Sequence, residues 1–168
     1  MESVKCALIK AAKEKNVTAL KVLLDAGADV ETRFEGGVTL LIYAALAAPE
    51  LVATLLDAGA NANAKNDANC TPLVFAASNG DRDTTRILLE SGAEPDIGNQ
   101  FGTTPLMFAA ENGHESVVNI LLEAGADTTA RNKKGLCAFD YAVRNGDIET
   151  IRALTQSGAS INDKKKLN

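Results

Sequence analysis

The only histidine of the 168-residue chain, His114, follows a glycine at the end of the stretch TPLMFAAENGH, Thr104 to His114. An imidazole suits proton transfer or metal ligation near neutral pH, but both roles need partners. A metal needs further ligands at fixed spacing, and a nucleophile needs a base within hydrogen-bond reach. The sequence offers neither pattern. Cys6, Cys70 and Cys137 form no C-x-x-C pair, and there is no glycine-rich phosphate loop. No catalytic residue, metal or cofactor is expected. Three scattered cysteines are too few for a disulfide framework and read as reduced thiols.

The bulk properties narrow the class further. Hydrophobic content of 46% with 23% charged residues is that of a packed globular protein. A net charge of −5 argues against nucleic acid, whose phosphates require a clustered positive surface. The one basic run, Lys164 to Lys166, reads as a solvated tail. No stretch approaches the roughly 18 apolar residues of a membrane span. The N-terminus, MESVKCALIKAAKEKN, is too interrupted by charge for a signal peptide. A cytoplasmic monomer that binds no membrane is the expectation, with export the alternative if a leader was removed.

What positions His114 is a repeat. GADV at Gly27, GANA at Gly59, GAEP at Gly92, GADT at Gly125 and GASI at Gly158 are spaced 32, 33, 33 and 33 residues apart. Leucine pairs precede the first four glycines, and Leu154-Thr155 precedes the fifth. Alanine pairs lie further upstream: Ala11-Ala12, Ala44-Ala45, Ala76-Ala77 and Ala109-Ala110, with Ala142-Val143 in the last unit. Within a unit, Thr71-Pro72 or Thr104-Pro105 opens a short helix, threonine capping and proline fitting the first turn. A turn follows, then a longer helix ended by glycine, then about ten turn-forming residues. Each helix is too short to stand alone in water, so stacking must hold them. In this frame His114 fills the slot of Asn16, Ala48, Asp81 and Asp147, just before each second helix, and is expected to be a structural turn or cap residue.

These residues resemble the ankyrin repeat family over essentially the whole chain; GTTPLMFAAENGHESVVNILLEAGADTTARN, Gly102 to Asn132, follows the family pattern almost slot for slot. The resemblance implies an all-α solenoid of five helix-turn-helix units with β-turn or hairpin fingers. The units run over about 1–33 (N-terminal cap), 34–65, 66–98, 99–131 and 132–163 (C-terminal cap), with a basic tail at 164–168, all one domain. The family's usual histidine after TPL is replaced by Ile42, Val74, Met107 and Asp140. The second unit is one residue short at YAALAAPEL, which implies a shortened first helix, as in the cyclin-dependent-kinase inhibitors of the family.

Counting about 100° per residue from Leu106, Ala109 and Ala110 share its face and Phe108 points about 200° away. That outward slot, expected to line a concave groove, holds Tyr43, Phe75, Phe108 and Tyr141, with Lys10 in the first unit. Four of the seven aromatics therefore sit in one slot. Phe34 and Phe101 fall in the fingers, and Phe139 replaces a core leucine. The alternative is that these rings only fill space between units.

An aromatic groove with a polar rim has the composition of a protein-binding patch. The expected rim comprises Glu35, Asp67, Gln100, Lys133 and Lys134 on the fingers, and Asn79, Glu111, Asn112, Arg144 and Asn145 beside the groove. The finger tips run from acidic to basic along the chain, a gradient able to orient a partner. The function expected is a non-catalytic module binding another protein, with inhibition or masking of an enzyme as its narrower form. A scaffold or adaptor without inhibitory role is the alternative, followed by a small-molecule sensor or enzyme.

Overall fold

The computed structural model describes residues 2–158. Among the described residues, ten α-helices alternate along the chain. The first helices of the five units are α1 (Glu2–Lys13), α3 (Leu40–Ala47), α5 (Pro72–Asn79), α7 (Pro105–Glu111) and α9 (Ala138–Asn145). The second helices are α2 (Val17–Asp25), α4 (Val52–Asp57), α6 (Arg82–Glu90), α8 (Glu115–Glu123) and α10 (Ile148–Gln156). First helices pack on first helices and second on second, giving an inner and an outer layer. The tail at 164–168 and the end of the fifth unit lie outside the described residues.

Local chemistry explains each boundary. Thr39, Thr71 and Thr104 each turn the hydroxyl oxygen onto a free backbone N–H three residues on, at 3.2, 3.4 and 3.4 Å. Asn16, Asp81 and Asp147 cap the second helices in the same way. The second helices end in paired carbonyl bonds: the Gly27 N–H donates to Leu24 O and the Ala28 N–H to Leu23 O. Gly27 has φ of 86°, which favours a residue without Cβ.

The alanine pairs let the inner helices approach closely, and all four are buried. One apolar cluster runs without a break from Leu8 in α1 to Leu154 in α10. Leu106, fully buried at its centre, contributes roughly 1.5–3 kcal/mol by leaving water. At the described C-terminal end the pattern relaxes: Val143, which replaces the second alanine, is 48% exposed, and Thr155 also faces solvent. The end faces are only partly polar, since Val4, Val22 and Ile148 are exposed too.

One expectation is corrected here. The second unit's first helix is not shortened, because α3 has eight residues, as α5 does. The missing residue comes out of the turn, where Ala48 alone replaces Gly80-Asp81. The second helix bears the consequence: Pro49–Leu51 form a 3-10 turn, and only six residues of α4 follow. Ala48 has no side-chain oxygen to cap them. Of the expected turn or hairpin fingers, turns are what form; the described residues hold no strand, only an isolated bridge between Arg33 and Thr39. Cys6 lies inside α1, so the first unit has a helical extension where later units have a finger.

Candidate protein-binding face

The aromatic slot forms a row across four consecutive inner helices. Tyr43, Phe75 and Phe108 are half-buried, Tyr43 and Phe75 packing against the core cluster. Each therefore shows part of its ring and anchors the rest. Tyr141 departs from the expected pattern, with only 7% exposed. Its hydroxyl accepts a hydrogen bond from Asn132 Nδ2 at 2.9 Å, and the Arg144 guanidinium sits 5.2 Å from its ring centre. Arg144 is held in turn by Glu111 of the preceding unit at 2.6 Å. Glu111, Tyr141 and Arg144 thus form one cluster, in which the Arg144 side chain stays largely exposed. In the first unit Lys10 is exposed and lies 3.8 Å from Glu14.

The fingers are positioned by asparagine. Asn66 Oδ1 accepts the backbone N–H groups of Ala68 and Cys70. Asn99 does the same for Phe101 and Thr103, and Asn132 for Lys134 and Leu136. Successive fingers are then joined by backbone bonds: Asp67 N–H to Gly36 O at 3.0 Å, Gln100 N–H to Ala68 O at 2.9 Å, and Lys133 N–H to Phe101 O at 2.9 Å. The main chain of the tips is fixed, while the side chains of Glu35, Asp67, Gln100, Lys133 and Lys134 stand in solvent. Phe101 is a true tip residue, 56% exposed. Phe34 is not. It occupies the slot of the finger asparagines and stacks on Tyr43, with ring centres 4.9 Å apart.

Two of the expected rim residues hold the stack together. The last carbonyls of a helix have no intrahelical donor, and the next unit supplies one. Asn79 Nδ2 donates to Leu46 O at 3.0 Å, and Asn112 Nδ2 to Ser78 O at 3.1 Å. Asn145 is exposed. His114 stands at the start of α8, as its slot implies, but its side chain makes no capping bond. Instead Nε2 lies 3.0 Å from Ser78 O. A carbonyl only accepts, so this nitrogen carries the proton. His114 is thus the N-cap residue by its backbone, while its side chain links units instead of capping.

The family model described as "Ankyrin repeats (3 copies)" matches three overlapping segments, residues 3–66, 41–132 and 73–165. The chain belongs to the ankyrin repeat family. No curated protein matches it. Ankyrin repeats are protein–protein interaction modules and generally non-catalytic. No helix among the described residues is long and apolar enough to cross a membrane.

Two titratable groups of this ankyrin stack are shifted by their surroundings. Asp127 is held below the usual aspartate range, first by the Thr129 hydroxyl at 2.7 Å and then by the Thr129 backbone N–H at 2.8 Å. Burial pushes the Cys70 thiol up. Sequence reasoning missed the cationic side chains at the N-terminal end. Lys5, Ile9 and Lys13 share one face of α1 at i, i+4, i+8 spacing, and with Arg33, Phe34 and Glu35 they line an open cleft of about 620 Å³. The acidic-to-basic gradient considered finger tips alone. With helix side chains included, the early end of the groove carries cations beside the acidic tips.

Proposed function

We propose that the chain binds a single protein partner along the inner-helix row and the finger tips. The observation that carries this reading is the row of half-exposed rings, Tyr43, Phe75 and Phe108, on three stacked helices beside fingers locked in register. Such rings bring large contact area while few rotamers remain to be frozen. Phe101 and the charged tips add a second strip of contact, and Glu111 with Arg144 closes the far end. A partner loses whatever surface it buries there, so masking of an enzyme is the narrower form of the proposal.

The test is affinity capture from the native host with the intact chain and with Phe75→Ala and Phe108→Ala. A protein retained by the intact chain and lost from both folded variants supports the groove. Equal retention by all three contradicts it. Activity of a captured enzyme, measured with and without added chain, separates masking from adaptor function.

A further inference from the structure

In the second, third and fourth fingers an asparagine closes the turn with two backbone bonds, but the first finger has Phe34 in that slot. A phenyl ring cannot accept those bonds. The first finger closes by other means: Glu35–Gly37 form a 3-10 turn with both glycines at positive φ, and Arg33 Nη1 donates to Gly37 O at 2.6 Å and Lys65 O at 2.9 Å. The chain breaks its own repeated rule at this one finger. What stands there instead is an aromatic ring on the wall of the 620 Å³ cleft. Local rules are broken most often where a site needs the residue.

The electrostatics of the cleft are lopsided. Lys5, Lys13 and Arg33 supply three positive charges against Glu35 alone. Arg33 spends its bonds on neutral carbonyls, which leave its charge uncompensated. The nearby Lys10 is matched by Glu14 and Lys15 by Glu50, at 3.8 Å each, whereas among the described residues Lys5 and Lys13 lie in no such pair. This is a concentrated positive site on a chain of net charge −5. Ile9 and Phe34 give it an apolar floor, and the Phe34–Tyr43 stack joins it to the aromatic row.

Resting on the groove reading above, we infer that this cleft binds an extended acidic segment of the partner protein. Carboxylates of the segment sit between Lys5, Lys13 and Arg33, and one apolar side chain covers Ile9 and Phe34. Glu35 at the mouth repels a carboxylate placed too near the finger tip, which sets the segment's register. The segment then continues along Tyr43 and Phe75.

The probe is a fluorescein-labelled Glu-Asp-Phe-Glu-Asp peptide titrated into the full chain by anisotropy. A Lys-Arg-Phe-Lys-Arg peptide and a twelve-nucleotide single-stranded DNA serve as comparisons. The acidic peptide is expected to bind at least tenfold more tightly than the basic one and to weaken as salt rises. Lys5→Glu combined with Lys13→Glu, both exposed positions that leave the fold intact by circular dichroism, abolishes binding; Glu35→Gln strengthens it a few-fold. Equal affinity for both peptides, tighter binding of the DNA, or binding unchanged in the lysine variant overturns the inference. If the acidic peptide fails while a captured partner is still lost from Phe75→Ala, the cleft assignment falls and the groove reading stands.

Discussion

Nε2 of His114 lies 3.0 Å from the carbonyl oxygen of Ser78, one repeat upstream, and Asn112 Nδ2 reaches the same oxygen at 3.1 Å. The ring also rests against Gly80: a Cβ on Gly80 would fall 2.7 Å from Nδ1 of His114. Gly80 has φ of 71°, so the position favours glycine on two separate grounds. Gly80→Ala is expected to cost about 1 kcal/mol for the backbone. In the intact chain it also costs whatever displacing His114 requires. The substitution should therefore be less damaging in a His114→Ala background, a coupling that a double-mutant cycle of thermal melts measures. Additive effects would show that the ring does not rest there. His114→Ala alone should lower stability by about 1 kcal/mol through the lost bond, with partner affinity unchanged within a few-fold.

The finger asparagines should rank in order. Asn99→Ala removes two backbone bonds from an exposed finger, at a cost of about 1–2 kcal/mol. Asn132→Ala removes the equivalent bonds and also strands the Tyr141 hydroxyl, whose partner it is. It should be the more destabilising by about 1 kcal/mol in urea unfolding. The reverse ranking would mean that the Tyr141 contact contributes nothing.

Thiol labelling should proceed in the sequence Cys6, Cys70, Cys137. Cys6 is exposed, Cys70 half-buried and Cys137 buried, where its Sγ lies 3.3 Å from Asp140 Oδ2. Burial raises the Cys70 pKa, so at neutral pH less of it is thiolate, the reactive form. Mass spectrometry after timed exposure to a maleimide reads the order directly. Early modification of Cys137 in the native protein would contradict the packing of the last unit.

Asp127 provides a pH test. Its pKa is lowered in the folded chain, so its contribution to stability is present above the ordinary aspartate value and is lost as pH falls through the folded one. Carboxyl NMR should show Asp127 titrating below free aspartate. Thr129→Val, which deletes the hydroxyl donor, should move it back up. An unchanged midpoint would remove the hydroxyl as the leading cause.

The parts of the fold legible in the sequence are those set by short-range chemistry. Threonine before proline marks helix starts, paired alanines mark the inner contacts, and glycine after two leucines marks helix ends. Asn69 stands where the other fingers have Gly37, Gly102 and Gly135, and it shares their positive φ, at 59°. What escaped depends on contacts between units. The position of His114 marks a helix start, but its ring follows an orphan carbonyl of the preceding unit. Tyr141 sits in the outward slot, yet Asn132 and Arg144 cover it. The deletion in the second unit was visible as a missing residue, but only the preserved alanine contacts decide that α3 stays whole and α4 shortens. The cationic cleft escaped because Lys5 belongs to a helical extension with no counterpart in later repeats, while Lys13, in the slot of Glu111 and Arg144, joins it only through the helix.

The most direct test of the binding face compares folding and binding damage in the same variants. Phe75→Ala and Phe108→Ala are measured by urea unfolding and by affinity for the captured partner, with Leu106→Ala as the core control. Leu106 is fully buried, so its truncation should cost about 2–5 kcal/mol of stability. The half-buried phenylalanines should cost clearly less than that, while at least one weakens binding by about 2 kcal/mol, roughly thirtyfold. If the phenylalanine variants instead unfold as readily as Leu106→Ala and their folded fraction binds the partner normally, the aromatic row is packing and not a binding face.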